Sequence, residues 1–368
     1  MTTATINCKF ADWTTDHWQQ IRETSNAWWA GELDRPLLPM TVIQDSDRPM
    51  PMYQHFGRGL FANLNISPQQ IVEQLAWEFD RQTYLGDSFP SVNMSCSGAG
   101  VLAAMTGATL HPESSDDIWF KVDEVKPITE LHIEFDRENI WLKRLLEIGR
   151  LVHERWEGRV LVGMPDMGGV MDVLSSFRPP QELAFDLYHH PQEVLRVIDE
   201  IETAWFACYD LFDESMKPSN PGYCGWAGIY SDVPYYMMQC DFSYMISPQM
   251  FDQFVKPTLV RTSQKLGRTF YHMDGVGQLP HLDSLLSIPM LNGIQWVPGA
   301  GQKPAGQWPD VYEKILASGE RAQVVGAPSE LLEIMSKTQR RKGMNTFYWQ
   351  TQDMNLAQQY LDQIIMNQ

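Results

Sequence analysis

The segment Tyr271, His272, Met273, Asp274, Gly275 sets an imidazole and a carboxylate two residues apart at the end of an apolar run. Side chains alternate between faces in an extended strand, so His272 and Asp274 project to the same side. Such a pair can hold a divalent metal or move a proton. It can also be a strand end whose two polar groups satisfy each other, and the motif alone leaves both readings open. The strand NGIQWVPGAGQ carries Gln295, an amide able to orient a substrate, and Trp296, a ring able to cover one, with Gly299 and Gly301 allowing close backbone approach. Asp166, in LVGMPDMGG, reads either as a site carboxylate or as the cap of the next helix. Asp87, in YLGDSFPSVN, stands beside Gly and Ser, where turn formation competes with an acid–base role. Finally, CGWAGIYSDVPYYMMQCDFSYMISPQMF gathers Trp226, Tyr230, Tyr235, Tyr236, Cys240, Asp241 and Tyr244 in one long connection. It is too polar for a core and too aromatic for a linker, which predicts a lid over an organic substrate.

These residues need elements to position them. Helical periodicity runs from Trp13 to Leu33 and again over 68–84, each followed by a turn and a strand candidate, LLPMTVIQ and SVNMSC. A long amphipathic helix over 136–156 precedes the apolar RVLVGMPDMGG. From 191 onward, helices at 191–216, 248–266, 278–287, 309–318 and 329–341 alternate with the strands RTFYHMDG, NGIQWVPG, AQVVG and GMNTFYWQ. Repeated strand-then-helix units imply a parallel sheet. Short strands that end in polar or glycine residues predict a (β/α)₈ TIM barrel with an N-terminal helical extension. An open doubly wound sheet is the rival, but neither GxGxxG after an early strand nor GxxxxGK[ST] occurs. With no repeat or composition break, residues 1–368 read as one domain, of which 1–65 form the extension and first strand.

Acidic residues outnumber basic ones by 46 to 28, for a net charge of −18. That field disfavours nucleic acid and polyphosphate partners. No run of eighteen apolar residues and no leader-like segment is seen, which predicts a cytoplasmic protein without membrane spans. The 5 cysteines are scattered without a CxxC pair, so neither a disulfide framework nor a four-cysteine zinc site is expected.

Taken in order, LVGMPDMGGVMDVLSSFR, QCDFSYMISPQMFDQFVKP and YHMDG followed by a helix and a strand resemble the uroporphyrinogen decarboxylase superfamily. That barrel family also contains methyltransferases that exchange methyl groups with corrinoid proteins or coenzyme M. The resemblance to the decarboxylase is weaker: AWWAGELDRPLLPM offers only Arg35 where its arginine-rich motif stands, although Asp87 falls near its essential aspartate. The methyltransferase branch binds zinc through His-x-Cys and a later cysteine. Here the pair is His272 and Asp274, and no cysteine follows Cys240. The resemblance therefore implies zinc or another divalent ion held by His272 and Asp274, with Asp241, Cys240 or Gln295 as further donors. On that reading the enzyme demethylates a small methylated or methoxylated organic compound, the acceptor being a corrinoid carried by a partner protein, with a homodimer as the expected assembly. The alternatives are a metal-independent decarboxylase or lyase using Asp87 or Asp166, and a non-catalytic barrel that binds a small molecule.

Overall fold

The computed structural model describes residues 5–46, 48–51, 58–112 and 118–366. The chain is a mixed α/β structure. Its strands are β1 (Ile6–Lys9), β2 (Pro39–Ile43), β3 (Gln82–Gly86), β4 (Ser91–Val92), β5 (Thr109–Pro112), β6 (Ile118–Lys121), β7 (Leu161–Val162), β8 (Tyr235–Gln239), β9 (Arg268–Asp274), β10 (Gly293–Val297), β11 (Arg321–Val324), β12 (Met344–Thr346) and β13 (Trp349–Thr351). The largest sheet is parallel, in the order β12-β11-β10-β9-β8. Helices Leu282–Leu286, Pro309–Ala317 and Pro328–Thr338 lie between its successive strands, the connection that parallel pairing requires.

The expected eight-stranded ring is not what the ladders form. A second sheet, β1-β3-β2-β13, is mixed, because β3 runs antiparallel to both β1 and β2. The strands β4 and β7 make a separate parallel pair of two residues each, and β5 and β6 a hairpin. An isolated bridge, Leu37 to Asn345, joins the two larger sheets. Where a closed ladder was expected, Gly163, Gly168 and Gly169 leave the RVLVGMPDMGG segment only Leu161–Val162 as strand.

The two faces of the five-stranded sheet differ. Along β9 the odd-numbered residues Thr269, Tyr271 and Met273 are buried, while Arg268, His272 and Asp274 on the other face are partly accessible. The first face packs Tyr236, Met238, Tyr271, Met273, Ile294 and Trp296 into the main core. The second holds a smaller cluster built on Tyr235, Met237 and Phe270 with Trp28 of the helix Thr15–Ala30. That helix plugs the amino end of the sheet. Trp28 stacks on Phe270 with ring centroids 6.3 Å apart, and its indole N–H donates to the Met344 carbonyl at 3.0 Å. Arg321 from β11 donates to the carbonyls of Trp28 at 3.0 Å and Trp29 at 2.5 Å, satisfying acceptors that the helix end leaves open.

Two further expectations are corrected. The segment expected to be one lid contains β8, all five of whose residues are buried. A parallel strand covered on both faces reads as an unbroken apolar run, and YYMM is such a run. The helix expected over 68–84 stops at Asp80, and Gln82–Gly86 is β3.

Candidate active site

Parallel pairing puts His272 in register with Gln239 of β8 and Gln295 of β10, Gln295 with Gln323 of β11, and Gln323 with Asn345 of β12. A row of amides, interrupted by one imidazole, therefore crosses the whole sheet on the face toward the N-terminal helix. Gln239, Gln295, Gln323 and Asn345 are all buried. Most buried polar groups in proteins are hydrogen-bonded, but Asn345 Oδ1, at the far end of the row, has no partner among the described residues. Gln323 Nε2 donates to the carbonyl of Ala227 at 3.0 Å, Gln295 Nε2 donates to Gln323 Oε1 at 2.5 Å, and Gln295 Oε1 lies 2.5 Å from His272 Nδ1.

One step nearer the carboxyl ends of the strands, the polar row gives way to carboxylates. Asp274 ends β9, and Asp241 opens the 3-10 turn after β8. One ligand atom each from Asp241, His272 and Asp274 lies within 4.8 Å of the others. Asp241 is an exposed residue, but desolvation of its carboxyl among neighbouring atoms raises it first; the His272 imidazole acts against that and the neighbouring Asp274 adds to it. Asp172, in the first turn of the helix Val170–Phe177, accepts from the Phe242 N–H at 2.9 Å through Oδ1. Burial, with the charge of Asp241 next, pushes its carboxyl up to about 8.

Trp226 closes the other side. Its ring meets the His272 ring edge-on, centroids 5.0 Å apart at 86°, and lines a cavity of about 690 Å³ with Tyr84, Phe89, Tyr348, Thr41 and Asn93. A second cavity of about 520 Å³ touches Asp274 and is walled by Val297, Gly299, Lys303 and Glu330. Tyr244, half exposed, lays its ring over the backbone after β9. A Cβ on Gly277 would come within 2.6 Å of that ring, so a larger residue there would push Tyr244 aside.

The remaining expected site residues lie elsewhere. Gln295 is 0% exposed, with its amide engaged by His272 at one end and Gln323 at the other. Trp296 points to the opposite face, also 0% exposed, and packs edge-on against Trp308 at 5.6 Å. Cys240 faces the main core beside Ser243, and burial raises its thiol. Tyr230 packs against Trp18 and Phe89 and donates to the Pro221 carbonyl at 2.8 Å. Asp87 is a buried partner of Arg35: Nη1 and Nη2 reach its two oxygens at 2.8 and 2.9 Å, and the Leu38 N–H adds a third bond at 2.8 Å. Asp166 is buried and accepts from the Gly168 N–H at 3.0 Å, shaping the loop before the Val170–Phe177 helix. Gln239, Gln323, Asn345 and Asp172 adjoin these residues without having been singled out in the sequence. Asp172 lies inside a segment already noted, LVGMPDMGGVMD, six residues after Asp166.

No protein-family model matches the chain, and no curated protein matches it in sequence. Among solved structures, the fold is similar to that of a methyltransferase from Methanosarcina mazei. The TM-score is 0.55 at 12% sequence identity, over 89% of this chain and 93% of that one. The likeness is one of architecture, and it spans nearly the whole of both chains. Among the described residues, no helix is long and apolar enough to cross a membrane.

Proposed function

We propose that this chain is a metal-dependent, methyltransferase-like enzyme whose centre is Asp241, His272 and Asp274. The observation that carries the reading is their convergence, one imidazole and two carboxylates within 4.8 Å, where the parallel strands end. In α/β folds of this kind, ligands bind at the carboxyl ends of the strands. The donor set fits a borderline or hard divalent ion such as zinc or manganese, and not a thiolate-rich zinc centre, since the Cys240 thiol belongs to the opposite face. A net positive charge there would relieve the repulsion between Asp241 and Asp274.

A bound divalent ion would supply Lewis-acid polarisation of a substrate heteroatom. When a methyl group leaves as an electrophile, the electron pair of the broken bond stays on that heteroatom, so positive charge is needed beside it. Asp241, His272 and Asp274 would hold that ion at the strand ends, and Trp226 covers His272 from the side of the larger cavity. The aromatic and hydroxyl-bearing lining of that cavity suits a small methylated or methoxylated organic compound. A corrinoid carried by a partner protein is the proposed methyl acceptor.

The test is methyl transfer from a panel of methoxylated and methylated compounds to reduced cobalamin, followed by the absorbance of methylcobalamin. Zinc-loaded or manganese-loaded protein should give turnover, with at least a hundredfold loss in His272→Ala. Full activity in chelator-treated, metal-free protein would contradict the proposal.

A further inference from the structure

We infer that Gln323 and Gln295 form a relay of positioning residues that fixes His272 as the tautomer protonated on Nδ1, leaving Nε2 as its lone-pair atom. The polarity of the relay is set at its far end. Gln323 Nε2 lies 3.0 Å from the carbonyl of Ala227 and 3.4 Å from that of Thr346, and carbonyls only accept. That end of the amide must therefore be its NH₂, which turns Gln323 Oε1 toward Gln295. An oxygen there calls for a donor, so Gln295 presents Nε2 to it at 2.5 Å. Gln295 Oε1 is then left facing His272 Nδ1 at 2.5 Å, and an amide oxygen cannot donate. The hydrogen must be on Nδ1.

Both glutamines are 0% exposed, so water does not compete for these bonds. The edge-on Trp226 ring at 5.0 Å resists rotation of the imidazole, and a flipped ring would set a C–H against Gln295 Oε1. Which imidazole nitrogen ligates is set by the bond that the other makes. An amide does this without adding a negative charge. A buried carboxylate at position 295 would bring another anion to a neighbourhood that already holds Asp241 and Asp274. The inference rests on the proposed role of His272 for its consequence, and on the hydrogen-bond geometry alone for its content.

The experiment is long-range ¹H–¹⁵N correlation on metal-free, ¹⁵N-histidine-labelled protein at pH 8, with His272 assigned from the spectrum of His272→Asn. The wild-type protein should show a single neutral tautomer, protonated on Nδ1. In Gln295→Leu and Gln323→Leu that preference should collapse to a mixture, the second variant acting without touching the imidazole. Zinc affinity should fall about 10–100-fold in both, the range for outer-shell partners of a ligating histidine. A wild-type spectrum with Nε2 protonated, or with both tautomers, overturns the relay whether or not the variants fold. A single Nδ1-protonated tautomer in a protein that binds no metal supports the relay and removes the metal reading instead, so the two ideas fail separately.

Discussion

His272 and Asp274 owe their common direction to the two-residue repeat of a strand, and Asp241 joins them from the turn that follows the neighbouring strand β8. Asp172 stands behind Asp241, and burial and that neighbour hold it protonated far above the usual carboxylate range. The consequence for stability has a definite sign. The folded value exceeds the unfolded one, about 3.9, so the contribution is full below the unfolded value and is lost as pH rises through about 8. The metal-free protein should therefore lose melting temperature between pH 6 and pH 9 by about 2 °C or more, and Asp172→Asn should flatten that decline. Calorimetric melting of the two proteins across this range is the check; an unchanged slope in the variant would assign the decline to other groups.

At the scale of elements, the buried Arg35 and Asp87 pair ties the turn before β2 to the end of β3. Removing one partner of such a pair leaves an uncompensated buried charge, so Asp87→Ala should cost about 3–5 kcal/mol. Denaturant unfolding reads that loss, and the folded fraction should bind zinc as the wild type does. Lost binding with unchanged stability would move Asp87 from the scaffold into the site. The same contrast shows what the sequence could reveal. The His272 and Asp274 pair needed only the period of a strand, and the alternation of strands and helices in the C-terminal half was visible in its punctuation. The amide row was not, because Gln239, Gln295, Gln323 and Asn345 lie in separate strands and become neighbours only through register. Likewise β8 was hidden, since a strand buried on both faces has no alternation to detect. Asp87 was ambiguous for a different reason: its partner Arg35 is 52 residues away.

Across the whole molecule, charge and architecture point the same way. A helix plugs the amino end of the five-stranded sheet, amides cross its middle, and the carboxylates sit where its strands end, with Asp274 lining one cavity and Trp226 standing between His272 and another. The shared architecture with a methyltransferase at 12% identity carries the fold. The chemistry depends on the Asp241, His272 and Asp274 cluster. The most direct test is elemental analysis with calorimetric zinc and manganese titration of the full chain, alongside a variant with all three residues replaced by alanine. The account predicts a divalent ion bound per wild-type chain, an affinity at least a hundredfold weaker in the variant, and retention of the fold by circular dichroism. Wild-type protein that binds neither ion, or a variant that binds as tightly as wild type, would contradict it.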